Sequence, residues 1–194
     1  MNLKVGWKQE YNSMKLKLFI VTLFLVMLSC KDDSDVYKKT SGAYASKTGE
    51  FYAKFPTKPN LSIQDNKIGA DEFEVFAYRS TLGPNKIFSI EYFDYPGEMV
   101  KAMPNEQFLD QAVTNYSYAM ASNFELDFKE PVNNGDLKGV YFVLQLKENP
   151  AIKGIEGMIL GEIFKIGNRV YTITYHGIPD KRVDTFIESF KIMK

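Results

Sequence analysis

The sequence predicts an α+β fold in which one antiparallel sheet of about six to seven strands is covered by two main helices. Segments of alternating apolar and polar residues, typical of strands with one buried face, fill most of the chain from residue 51 onward. Two other stretches repeat apolar residues at helical spacing. The chain has 194 residues, 45% of them hydrophobic, which is enough for one ordinary core.

The first half of this domain predicts four strands. Residues 51–55 form a short strand that ends at Pro56, since proline cannot donate to a sheet ladder. Residues 61–68 and 72–79 form a hairpin, and residues 86–95 form a further strand. Because strand residues alternate between faces, Phe88, Ile90 and Tyr92 share one side of that strand.

A long helix is predicted to begin at Pro104, because proline suits the first helical turn. Its apolar residues form one stripe that we expect to face the core: Phe108, Leu109, Ala112, Val113, Tyr116, Ala119, Met120 and Phe124.

The second half predicts strands over residues 124–132, 137–147, 154–166 and 169–176, the last two joined by a Gly167-Asn168 turn. A closing helix starts at about Asp180 and places Val183, Phe186 and Ile187 on one side. This order of elements completes a sheet with two helices available to cover it.

The order of elements resembles the PsbP-like fold, shared by the extrinsic PsbP subunit of photosystem II and by many small bacterial lipoproteins. The resemblance covers residues 51–194 and depends on four motifs: Phe51-x-Ala53-x-Phe55-Pro56, Tyr92-x-x-Tyr95-Pro96, Asn168-Arg169-Val170-Tyr171 and Phe186-Ile187-Glu188-Ser189-Phe190. It implies an α-β-α sandwich and an accessory or assembly role without catalysis. These are structural positions, so no functional residue is transferred by the resemblance.

The N-terminal segment predicts an export signal. Lys15 and Lys17 precede an apolar run over residues 18–28, which is too short to span a membrane as a helix. Met27-Leu28-Ser29-Cys30 resembles the lipobox of bacterial lipoproteins, although the usual leucine is replaced by Met27. We therefore expect residues 1–29 to be a signal peptide that is cleaved between Ser29 and Cys30. Residues 1–13 precede a more natural start codon at Met14, and we interpret them as an over-extended N-terminus.

Cys30 is the chain's one cysteine, and we expect its lipidation to attach the protein to a membrane, most simply the outer membrane on its periplasmic face or at the cell surface. Residues 30–48 are interpreted as a flexible, acidic and polar tether, and residues 49–194 as the folded domain. The start of the tether has two readings. Lys31, Asp32 and Asp33 are either solvated linker residues or resemble the acidic tag that directs lipoproteins to the surface in one Gram-negative phylum.

Charge argues against nucleic acid as a partner. The 24 basic and 24 acidic residues are interspersed, without the basic stripe that phosphate backbones require. Removal of residues 1–29 leaves 20 basic and 23 acidic side chains, a net charge of about −3.

Residues suited to catalysis are few. His176 is the one histidine, on the polar face of its strand with Thr172 and Thr174, and neither a nucleophile nor an orienting carboxylate can be assigned to it. The carboxylates match no calcium or zinc spacing, so we predict no metal site, no cofactor and no catalytic residue.

Two functional hypotheses follow. The first is a non-enzymatic, lipid-anchored binding or assembly module for an envelope protein, with Tyr92, Tyr95 and Met99 as the partner surface. The alternative is a small-ligand-binding or hydrolytic protein with a pocket near His176. A deep pocket that joins His176 to a carboxylate favours the second, and an exposed aromatic patch favours the first.

Overall fold

The computed structural model describes residues 35–68, 71–96, 100 and 103–193. In chain order their elements are β1 (Val36–Lys38), β2 (Tyr44–Ser46), β3 (Phe51–Ala53), β4 (Asn60–Ile68), β5 (Asp71–Thr81), β6 (Ile87–Asp94), α1 (Asn105–Met120), β7 (Phe124–Asn134), β8 (Leu137–Leu146), β9 (Met158–Ile166), β10 (Arg169–Gly177), α2 (Lys181–Glu188) and β11 (Lys191–Ile192).

The strands of the described residues form two sheets. The larger has seven strands in the order β4-β5-β6-β10-β9-β8-β7, and its neighbours pair antiparallel. The smaller has the order β1-β2-β3-β11 and is also antiparallel. The α+β class, the antiparallel sheet of seven strands and the two helices are thereby confirmed. The second sheet is a feature that the sequence did not predict.

The tether predicted over residues 30–48 is wrong from residue 35 onward. β1 and β2 lie in this segment, and Ala43, Ala45 and Ser46 are buried, at 2%, 1% and 0% exposure. The folded unit therefore includes at least the fourteen residues before the predicted boundary at 49. Strands of three residues are too short to show a hydrophobic period, which explains the error.

The helices and the β9–β10 turn begin at or next to the residues that the sequence predicts. Pro104 caps α1, and the Phe108 amide donates to its carbonyl at 3.0 Å. Asp180 caps α2 by accepting a hydrogen bond from the Arg182 amide at 2.9 Å, which satisfies a donor left free at the helix start. Gly167, with φ of +60°, begins the two-residue turn between β9 and β10.

Side chains on opposite faces of the large sheet form two cores. Along β10, Tyr171, Ile173 and Tyr175 belong to one core, whereas Val170 belongs to the other. The first, here the aromatic core, joins the large sheet to the small sheet and α2 through Phe51, Tyr78, Phe88, Tyr92, Phe164, Tyr171, Tyr175, Phe186 and Phe190. The second, here the helix-side core, joins it to α1 through Phe108, Leu109, Val113, Phe142, Leu144, Ile159 and Ile163.

Candidate functional site

His176 lies on the face of β10 that carries the helix-side core, as the alternation along the strand predicts. It is half-buried, and its Nε2 is 3.1 Å from the Tyr116 hydroxyl of α1. Burial, aided by the positive charge of Arg79, lowers the pKa of His176 to about 4. The imidazole is therefore neutral at pH 7.

Polar residues from neighbouring strands continue this site across the sheet. Arg79, Ser89 and Thr174 lie directly opposite one another on β5, β6 and β10. Glu91, one position further along that face of β6, accepts a hydrogen bond from Arg79 Nη2 at 2.7 Å. We call this set the polar cluster: Arg79, Ser89, Glu91, Tyr116, Thr174 and His176.

The cluster contains a hydroxyl, an imidazole and a carboxylate, but it does not align them for nucleophilic catalysis. Such catalysis needs the nucleophile to hydrogen-bond to the base. The Ser89 hydroxyl is buried and has no hydrogen-bond partner among the described residues, His176 contacts Tyr116, and Glu91 pairs with Arg79. Burial also raises the pKa of Tyr116, which keeps its phenol neutral.

A second polar assembly attaches the start of the described chain to the aromatic core. The Asp35 carboxylate accepts hydrogen bonds from the Ser46 hydroxyl at 2.7 Å, the Tyr78 hydroxyl at 2.8 Å, and the Thr48 amide and hydroxyl at 2.8 and 3.0 Å. Partial burial acts to raise the pKa of Asp35, but these donors outweigh it and leave the pKa lowered. We call this network the Asp35 anchor.

Two residues of the Asn168-Arg169-Val170-Tyr171 motif support the same region. Arg169 makes a bidentate pair with Asp94 at 2.7 and 2.8 Å, and its Nη1 donates to the Thr48 carbonyl at 3.0 Å. The Tyr171 hydroxyl donates to the Gly49 carbonyl at 2.9 Å. The motif thus connects the β2–β3 turn to the large sheet, a structural role.

The predicted partner surface is wrong at Tyr92. This residue is 2% exposed and lies in the aromatic core, where its ring is 4.7 Å from that of Phe76 and 6.1 Å from that of Tyr78. Tyr95 is half-buried and packs on Phe93 and Phe108. Met99 lies outside the described residues, as do Ser29, Cys30, Lys31, Asp32 and Asp33.

Two surface clefts lie elsewhere on the domain. The first, of about 500 Å³, is at the β4–β5 hairpin and is lined by Asp65, Asn66, Lys67, Glu72, Phe73 and Glu74. The second, of about 320 Å³, is lined by Lys54, Phe55, Pro56, Leu82, Arg182 and Thr185. Neither is lined by His176.

Two further searches cover only the part of the chain that the structure describes. It contains no set of three or more His, Cys, Asp or Glu side chains arranged to hold a metal ion. Its helices are each too short or too polar to cross a bilayer.

Comparison with known proteins gives one similar structure. No family model and no curated protein matches the chain. The chain is similar to the solution structure of cyanobacterial PsbP (CyanoP) from Synechocystis sp. PCC 6803, with a TM-score of 0.48 and 12% identity over 87% of this chain and 98% of that one.

Proposed function

We propose that the chain is an exported lipoprotein, acylated on Cys30 and held at the outer membrane. In this proposal its PsbP-like α-β-α sandwich, enlarged by the four-stranded sheet, acts as a non-enzymatic binding or assembly module for an envelope protein. The observation that carries the proposal is the Asp35 anchor, since a residue only five positions after Cys30 is held in the core by four hydrogen bonds.

This spacing fixes how far the domain can lie from its lipid. Five residue steps in extended conformation span at most about 17 Å. The lipidated cysteine would therefore keep the small sheet close to the bilayer, whereas the predicted tether to residue 48 would have let the domain move several times further. A module held this close suits a partner that is itself in or on the membrane.

The rival hypothesis, ligand binding or hydrolysis near His176, is favoured by one observation, the buried Ser89 hydroxyl without a hydrogen-bond partner among the described residues. A ligand could supply that partner. Against this, His176 and Glu91 contact Tyr116 and Arg79 instead of Ser89. We therefore favour the module.

Metabolic labelling with palmitate tests the anchor. The natural chain should incorporate label and Cys30→Ser should not. A matched control adds Ser41→Cys, in an exposed turn, to the Cys30→Ser variant, and it should stay unlabelled because modification requires the lipobox position. Label in the Cys30→Ser chain, or none in the natural chain, would reject the proposal.

Affinity capture from native envelopes tests the module. The acylated protein should recover one stoichiometric partner, and His176→Ala should recover the same partner in the same amount. Turnover of a small substrate that disappears in His176→Ala, with no partner recovered, would establish the rival instead.

The acidic tag is tested separately by exposure of intact cells to protease. If Lys31, Asp32 and Asp33 direct export to the surface, the natural protein should be digested, and a variant with Asp32→Ala and Asp33→Ala should be protected. Equal digestion of both proteins would identify these residues as a simple linker.

A further inference from the structure

The small sheet has one face turned away from the core. Val36, Ser46 and Phe51 lie opposite one another and are buried, at 7%, 0% and 1% exposure. The neighbouring row contains Tyr37 and Tyr52 on the other face of the sheet, because successive strand residues point to opposite sides. Tyr37 is 39% exposed and Tyr52 is half-buried.

Three lysines of this sheet and its turns each lie over a different tyrosine ring. The Nζ atom of Lys39 is 4.0 Å from the centroid of Tyr52, that of Lys38 is 5.6 Å from Tyr44, and that of Lys47 is 5.8 Å from Tyr37. By the same alternation, Lys38 and Tyr44 lie on the side of Val36 and Ser46 that faces the core, and Tyr44 packs on the aromatic core. The other two pairs, Lys39 with Tyr52 and Lys47 with Tyr37, involve the outward tyrosines, and we call these four residues the lysine–tyrosine patch. Lysine stems that pack on aromatic rings keep their ammonium groups at the surface.

The described carboxylates that flank the patch in sequence, Asp35 and Glu50, have other partners. Asp35 accepts its hydrogen bonds from Ser46, Thr48 and Tyr78, and Glu50 faces Arg169 at 3.5 Å. The ion pairs of the described residues include neither Lys39 nor Lys47. Among the described residues the patch therefore carries local positive charge, on a domain whose predicted mature charge is about −3.

The position of the patch in the chain, close to Cys30, indicates a membrane surface as its binding partner. β1, which carries Tyr37, is an edge strand of the small sheet, and Asp35 immediately precedes it. If Cys30 is acylated, the patch is held within a few residues of the bilayer surface. Lysine and tyrosine are the side chains that favour that interface, where phosphate groups attract the ammonium and the ring lies at headgroup level.

We propose that the lysine–tyrosine patch seats the domain on anionic phospholipid headgroups beside the lipidated cysteine. The proposal rests on acylation of Cys30 and adds an orientation to it, with the small sheet toward the bilayer and α1 away from it. Each lysine near an anionic surface strengthens contact by about fivefold, so the two lysines contribute about 25-fold. Salt should weaken the contact, since exposed charges are screened within about 8 Å at physiological ionic strength.

Tryptophan fluorescence in vesicles tests this orientation. The one tryptophan, Trp7, lies in the predicted signal peptide, so Tyr37→Trp would give the mature protein a single fluorophore in the patch. The matched control is Tyr118→Trp on α1, where the natural side chain is 75% exposed on the opposite side of the large sheet. Both acylated proteins are reconstituted in vesicles that contain brominated phosphatidylcholine, with or without about one third phosphatidylglycerol, an anionic fraction high enough to set a surface potential.

The expected result is strong quenching of Tyr37→Trp in the anionic vesicles, lost at high salt and absent in neutral vesicles, with Tyr118→Trp unquenched throughout. Substitution of Lys39 and Lys47 by glutamine should abolish the quenching. The same change at two exposed lysines elsewhere, Lys138 and Lys153, should leave it intact.

Different failures have different meanings. Protein that floats with the vesicles while Tyr37→Trp is quenched no more than Tyr118→Trp overturns the orientation and leaves the anchor intact. Quenching that is equal in neutral and anionic vesicles overturns the role of anionic headgroups. Protein that carries no acyl chain and does not float overturns both the anchor and this proposal.

Discussion

The two faces of the seven-stranded sheet are covered in different ways. One is closed by the small sheet and α2, and its aromatic core contains Phe51, Phe186 and Phe190 at 0 to 1% exposure. On the other, α1 packs on β7, β8 and β9, and the polar cluster occupies β5, β6 and β10 beside it. The closed face supplies stability, and the partly covered face retains the titratable groups from which binding or chemistry could develop.

The largest effect is expected in the aromatic core. The Phe190 ring lies 5.5 to 5.9 Å from the rings of Phe51, Phe164 and Tyr171, so Phe190→Ala should leave a cavity and lower the free energy of unfolding by about 3–5 kcal/mol. Phe128→Ala, at a ring 45% exposed, should cost less than about 1 kcal/mol. Urea unfolding of both variants measures this, and equal losses would contradict the assignment of the main core to this face.

The next effect concerns the Asp35 anchor. Asp35→Ala removes an acceptor of four hydrogen bonds and should cost about 1.5–3 kcal/mol at pH 7, whereas Asp136→Ala in the exposed β7–β8 turn should be neutral. Because the folded pKa of Asp35 is lowered, its stabilisation is present above the ordinary value of 3.8 and is lost as pH falls through the folded pKa. Urea unfolding should show the two variants converging below that range. A loss that persists unchanged in strong acid would mean that the ionised carboxylate is not the source.

Glu162 is an exception on the closed face. It lies opposite Ile173 on β10 at 8% exposure, and burial raises its pKa to about 7, with Lys191 lowering and Glu188 raising it. The raised pKa means that the folded state favours the protonated form of Glu162. Its contribution to the free energy of unfolding is therefore fully present below pH 4.5 and is lost as pH rises through about 7.

Glu162→Gln should remove this pH dependence and exceed the natural chain by about 1–3 kcal/mol at pH 8, measured by urea unfolding across pH 4 to about 8. Glu156→Gln, in an exposed loop, serves as the control and should follow the natural chain. A difference in stability between the natural chain and Glu162→Gln that stays constant between pH 4.5 and 7 would show that Glu162 is ionised in the fold.

The smallest effect concerns the polar cluster. Because the chain has one histidine, its imidazole signals in NMR belong to His176 and should titrate near pH 4. A lowered histidine pKa contributes stability above 6.5 that is lost as pH falls through 4. Tyr116→Phe removes the hydrogen bond to His176 and should lower the free energy of unfolding by about 0.5–1.5 kcal/mol. Tyr118→Phe, at an exposed position of the same helix, should leave it unchanged. A titration midpoint of His176 near pH 6.5 would contradict its burial and show that the imidazole is exposed to solvent.

Long periodic segments explain what the sequence predicted well. The strands that became β4 to β10 and the two helices carry enough repeats to reveal their period, and Phe88, Ile90 and Tyr92 share a buried face as expected. The sequence nevertheless places Tyr92 on a partner surface, because the rings that bury it, those of Phe76, Tyr78 and Tyr171, lie on β5 and β10 and meet it only through strand pairing.

The small sheet and the polar cluster show why the rest could not be read locally. β1 to β3 have three residues each, and β3 pairs with β11 near the end of the chain, so the burial of this sheet depends on contacts that no local pattern contains. The face of β10 on which His176 lies could be predicted, because successive strand residues point to opposite faces of the sheet. Arg79 of β5 and Tyr116 of α1 come from other elements, and strand register and helix packing bring them to His176.

The most direct measurement is the intact mass of the protein from native membranes, with its N-terminal peptide sequenced by fragmentation. We expect a chain that starts at Cys30 and carries acyl chains on that residue, five positions before Asp35. A free Cys30 thiol, or a chain that still contains residues 14–29, would contradict the account.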